Sequence, residues 1–244
     1  MTAARLPAVP QLPDVWRVDE LASGRQAIVG TGHAALDAQL PGGGWPVGSL
    51  VEVLPQRPEQ HAWQLLLPGL AAACAQQPGP LVLVGAPFVP FGASLAAQGL
   101  AVDRLLCVQA ERPAARLWAA EQALRCADVV GVLAWLPQAR AAELRRLQLA
   151  AQQPGKLLFA FRLPRSQGES SPARLRLLVE GGEALQVRIL KRRGPPLTEP
   201  LALPAQPARL AALLAARKGR AKPGVLQSQP PRTVHGLDRT PTLA

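Results

Sequence analysis

A chain of 244 residues with 48% apolar residues is long enough to bury a full core, and no uninterrupted apolar run approaches the roughly 18 residues of a membrane span. The opening "MTAARLPAVPQLPDVW" has no signal-peptide core, which predicts a cytoplasmic protein, and the widely spaced Cys74, Cys107 and Cys126 form neither a disulfide framework nor a zinc pattern. The net charge of +11 is segregated: residues 1–161 carry 12 Lys+Arg against 11 Asp+Glu, and residues 162–244 carry 15 against 5. Such a basic end fits nucleic acid or an acidic partner.

In chain order, residues 1–24 form a proline-punctuated extension with a short amphipathic helix over Val15 to Ala22, and residues 25–195 form the core. Leu50 to Leu54 reads as an apolar strand interrupted only by Glu52, and Gln60 to Gln76 as a buried helix. Leu81 to Gly85 is a second strand, with a short helix near Ala93 to Gln98 ending at Gly99. Arg104 to Gln109 is a third strand, and Pro113 opens a helix reaching Cys126. Val129 to Trp135, the helix Gln138 to Gln152 and the strand Lys156 to Phe161 complete a repeated βα pattern.

Short apolar strands alternating with helices predict an α/β fold, a doubly wound and mainly parallel sheet covered on both faces. Arg174 to Glu180 and Leu185 to Arg193 then read as an antiparallel hairpin around Gly181-Gly182-Glu183. Residues 196–244 turn Pro/Ala-rich and basic and are expected to be a disordered tail, broken by one helix at 207–217 with Leu210, Leu213 and Leu214 on a single face. The three cysteines are expected to be buried and reduced, Trp118 to face the core, and Arg116, Glu121, Arg145 and Gln148 to point outward.

The stretch "TGHAALDAQLPGGGWPVGSLVEVL" resembles the start of the RecA-like ATPase core, where a glycine-rich turn precedes the first core strand and a phosphate loop follows it. A working loop needs glycines to turn N–H groups inward, a Lys for the terminal phosphates and a Ser/Thr for magnesium. Aligned on Val51-Glu52-Val53, those places hold Gln60, His61 and Ala62. Pro55 and Pro58 add two positions with no N–H to donate. The fourth strand ends in Trp135-Leu136 where a metal-holding carboxylate belongs. His33, His61 and His235 share no ligand spacing, and Ser49 and Ser94 have no evident base. The residues therefore predict no catalytic centre, no metal and no cofactor.

A sharper resemblance follows from six blocks in order: "GHAALDAQLPGGGWPVGSLVEVL", "LLLPGLA", "LWAAEQALRC", "LRRLQLAA", "SPARLRL" and "ILKRRG". Together they look like the ImuA family, RecA/SulA-like proteins associated with bacterial translesion DNA synthesis. The resemblance implies a non-catalytic accessory of the SOS response to DNA damage. Such a protein binds ImuB, a pseudo-polymerase of the Y family, and through it the error-prone polymerase and the sliding clamp. Contact with DNA or RecA is a further expectation. The relation to SulA implies an alternative, a cell-division inhibitor binding FtsZ, and a residual nucleotide-binding regulatory subunit is a third reading. The residues expected to meet a partner or DNA are Arg174, Arg176, Arg188, Lys191, Arg192 and Arg193 around the hairpin. Leu210, Leu213, Leu214, Arg217, Lys218, Arg220 and Lys222 form a second set in the tail. Charges on a hairpin edge also serve to keep that edge from aggregating.

Overall fold

A computed structural model describes residues 27–56, 62–152, 155–181 and 184–204. The expected helices over 15–22 and 207–217, with Leu210, Leu213, Leu214, Arg217, Lys218, Arg220 and Lys222, lie outside the described residues, as do Gln60 and His61.

The sequence of elements is β1 (Ile28–Val29), α1 (Ala34–Asp37), β2 (Trp45–Pro46), β3 (Ser49–Pro55), α2 (Ala62–Gln76), β4 (Leu81–Val84), α3 (Gly92–Ala97), β5 (Leu105–Val108) and α4 (Pro113–Arg125). It continues with β6 (Gly131–Trp135), α5 (Ala141–Gln152), β7 (Leu157–Phe161), β8 (Leu175–Gly181), β9 (Leu185–Lys191) and β10 (Leu201–Leu203). Eight strands form one mixed sheet in the order β10-β9-β8-β3-β7-β6-β4-β5. From β8 to β5 every pairing is parallel, β9 runs antiparallel to both β8 and β10, and β1 and β2 make a separate two-stranded ribbon.

The period of two along each strand sorts side chains between two cores. Val51 and Val53 of β3 pack with α2, α3 and Trp45 on one face, whereas Leu50 packs with α4 and α5 on the other. All seven residues of β3 are buried, as befits a central parallel strand. Each Leu or Val buried this way contributes about 1.5–3 kcal/mol of transfer free energy. Leu144, Leu147 and Ala151 seat α5, as their spacing predicts.

Several side chains depart from expectation. Trp118 is 65% exposed, and Cys107 and Cys126 are exposed while Cys74 is buried. Glu121 is buried, because α4 and α5 pack side by side and it bridges them to Arg125 at 2.7 Å and Arg146 at 2.6 Å. Gln148 turns toward the sheet, where its Oε1 accepts the Leu50 N–H at 2.7 Å and its Nε2 donates to the Gly48 carbonyl at 3.2 Å. Past Arg193 the sequence shows no strand signal, yet β10 pairs with β9 and buries Leu203.

Candidate functional site

The passage after β3 is where an ATPase of this type would grip phosphate. Strand β3 runs through Pro55, and Gln56 leaves it by donating its N–H to the Val179 carbonyl of β8 at 2.9 Å and its side-chain amide to Glu180 at 2.8 Å. Ala62 starts α2, and Pro68 inside that helix packs against Gly32. Gly32 has φ of 81°, and a Cβ there would lie 2.3 Å from the Pro68 Cβ, so only glycine fits where the chain entering α1 meets α2.

At the carboxyl ends of β6 and β7, Trp135 and Phe161 are in register, with Val53 of β3 next to Phe161. Their rings stack at 4.4 Å with an interplanar angle of 21°, and both are buried. An apolar, desolvated stack stands where a metal-holding carboxylate would need water and charge around it. Beneath it, Trp45 meets Phe159 edge-on at 5.3 Å.

The cations around β8 and β9 do not form one continuous face. Arg174, Lys191, Arg192 and Arg193 come together around a shallow groove of about 370 Å³ at the start of β8 and the end of β9. Lys191 Nζ donates to the Ser171 carbonyl at 2.8 Å; Arg192 donates through Nε to the Pro195 carbonyl at 2.8 Å and through Nη1 to the Gln39 carbonyl. Arg188 is exposed farther along β9. Arg176, expected on the same surface, is instead buried and turned into the protein.

Its partner is Glu52, the lone charge in β3 and fully buried. Arg176 Nε donates to Glu52 Oε2 at 2.9 Å, the Ser171 hydroxyl donates to Oε1, and Arg162 Nη1 lies 3.9 Å from Oε2. The remaining Arg176 N–H groups reach the carbonyls of Ser166 at 2.7 Å, Gln167 at 3.1 Å and Glu169 at 3.0 Å. Arg162 also binds the Ala139 carbonyl at 2.7 Å and Glu169 at 2.8 Å. The hydrogen bond and charge of Arg162 hold the Glu169 carboxyl below the ordinary carboxylate range. Two carboxylates and two guanidiniums thus balance, and they fasten segment 164–171 over β3 and β8. The sequence carries a signal for this cluster: a single acid in an apolar strand requires a buried cation opposite it.

Another buried charge, Lys156, lies at the amino ends of β6 and β7. Lys156 donates to the Ala127 carbonyl at 2.8 Å and to the Val129 carbonyl, and burial pushes its amine below the ordinary lysine range. It ties the end of α4 to the start of β7. Among the described residues no helix is long and apolar enough to cross a membrane.

No protein-family model and no curated protein matches the chain.

Proposed function

We propose that this chain is a non-catalytic adaptor with a RecA-like core, of the ImuA type, that binds ImuB during damage-induced translesion DNA synthesis. The observation that carries the reading is the Trp135–Phe161 stack at the ends of β6 and β7. Phosphoryl transfer works through charge placed against charge, and a buried aromatic pair supplies none. Pro55 at the end of β3, with no N–H to offer a phosphate, supports the same reading. The parallel strand order, with the antiparallel β9 after β8, is compatible with a RecA-like core and supports the hairpin expected there. On this reading the rigid sheet is a platform, and binding is carried by its edges and ends. Through ImuB the adaptor joins the error-prone polymerase and the sliding clamp, and its basic end contacts DNA.

The test is a pull-down from purified components, with the full chain as bait and ImuB or FtsZ as prey. ImuB is expected to be retained and FtsZ to pass through. Retention of FtsZ alone, with filamentation of cells overexpressing the chain, would overturn the reading in favour of a SulA-type inhibitor. A truncation that separates core from tail belongs after Pro204, because β10 completes the pairing of β9.

A further inference from the structure

The sheet reverses its winding between β4 and β6. From β4 the chain passes through α3 to β5 on one side, and from β6 it passes through α5 to β7 on the other. Leu95 of α3 and Leu144 of α5 belong to opposite cores, so the two connections leave on opposite faces. Where neighbouring parallel strands send their connections apart, a crevice opens beyond their carboxyl ends, and open α/β sheets bind ligands there.

Beside this switch point, on the α4 and α5 face, a cavity of about 810 Å³ lies between the chain following β5 and the chain following β6, within the size range of small-molecule sites. Arg112, Arg116 and Arg140 line it, over a floor that includes Leu117 and Leu136. Arg116 is the fixed element. Its Nε donates to the Ala110 carbonyl at 2.7 Å and its Nη1 to the Trp135 carbonyl at 3.3 Å, which leaves Nη2 without a partner among the described residues. The guanidinium lies across Gly85 at the end of β4, whose φ is 64°; a Cβ there would come within 2.6 Å of Arg116 Nε. Glycine at this strand end gives the arginine its place. The side chains of Arg112 and Arg140 have no hydrogen bond or ion pair among the described residues. Of the two acids in the lining, Glu143 accepts the Arg140 backbone N–H at 2.7 Å, and Glu111 is exposed.

We propose that this crevice binds a small organic phosphate, a phosphate monoester on a body with an apolar face. Three guanidiniums against two acids, one of them already accepting a backbone N–H, call for an anion. A monoester offers three terminal oxygens and up to two charges, one oxygen for each arginine, whereas a carboxylate offers two oxygens and one charge. Half-buried Leu117, backed by buried Leu136, provides the surface for the ester's apolar part. The site lies on the α4 and α5 side of the sheet and uses nothing from the passage after β3. It therefore stands or falls independently of the adaptor reading.

Isothermal titration of the full chain in magnesium-free buffer tests the assignment, with phenyl phosphate, inorganic phosphate and malonate as probes. Phenyl phosphate is expected to bind saturably and at least about tenfold more tightly than either of the others. Arg112→Ala combined with Arg140→Ala is expected to weaken it by about tenfold to a hundredfold, the effect of losing charged hydrogen bonds, with an unchanged circular dichroism spectrum. Arg193→Ala, at the distant basic groove, should leave it unaltered. A free ester and the phosphorylated end of a nucleic acid strand share this chemistry. Competition by a 5′-phosphorylated oligonucleotide, but not by its unphosphorylated form, would identify the strand end as a source. No saturable heat at millimolar probe, equal binding of malonate, or full affinity in the Arg112 and Arg140 double variant would overturn the proposal.

Discussion

Glu52 illustrates how one side chain can be conspicuous in a sequence while its purpose is not. Alternation along β3 aims it into a core otherwise lined by Leu, Val and Ala, and an ionised carboxylate placed there must find cations. Arg176 and Arg162 supply them, so Glu52→Ala leaves two buried guanidiniums short of charge. We expect that change to cost about 3–5 kcal/mol, read as a lower midpoint in urea denaturation, with Glu52→Ala plus Arg176→Met recovering a good part of it. A single variant as stable as the parent would mean that the network holds nothing together. The same geometry explains why sequence alone misplaces Arg176. Its neighbours Arg174, Arg188 and Lys191 are exposed, and Lys191 lies directly opposite Arg176 in the ladder; what buries Arg176 is segment 164–171, whose carbonyls take its N–H groups. Trp118 is misjudged for a related reason: an aromatic in an amphipathic helix is drawn to the core only if its face meets the sheet, and α4 turns Ala120 and Leu124 inward instead.

The central parallel strands are legible as elements because burial on both faces makes β4, β6 and β7 continuous apolar runs of four or five residues, and leaves β3 a buried strand whose apolar run Leu50 to Leu54 is broken only by Glu52, each bounded by turns. Strands β1, β2 and β10 are not, since two or three residues are too few for any period to show. Their existence depends on partners elsewhere: β10 on the edge of β9, and β1 and β2 on each other. The glycine-rich turn is legible as a turn, but the contact of Gly32, at the entry to α1, with α2 is not, because nothing in local spacing reveals that it meets Pro68. Gly32→Ala would force a left-handed backbone onto alanine and drive its Cβ into Pro68. We expect a loss of at least about 1–3 kcal/mol, the usual cost of overpacking, measured by thermal unfolding. Gly168→Ala, where a Cβ would meet nothing within 4 Å, serves as the tolerant comparison.

Across the whole molecule the two ends of the sheet differ in kind. At the β5 edge the surface is apolar, with Leu106 52%, Phe91 76% and Val102 50% exposed, while the opposite end carries the groove of Arg174 and Lys191–Arg193. If the basic end lies on DNA, replacing Lys191, Arg192 and Arg193 with Gln should weaken binding and flatten its dependence on salt. The slope of log K against log salt should fall by about one unit for each phosphate that the variant no longer neutralises, measured by fluorescence anisotropy over a salt series. An unaltered slope would remove this groove from any DNA interface. The segregation of charge is readable from composition alone; which cations remain on the surface is not, because that depends on the fold of segment 164–171. The strand order carries a further consequence, one of timing. Strand β3 is the first long strand of the sheet to be synthesised, yet its neighbours are β7 and β8, and Ser49 finds its partner Leu157 only 108 residues later. At a translation rate of about 5–20 residues per second, the longest fully buried strand of the sheet spends roughly 5–20 seconds with both its edges open. On the ribosome, the strand that anchors the finished sheet is the one that waits longest for company.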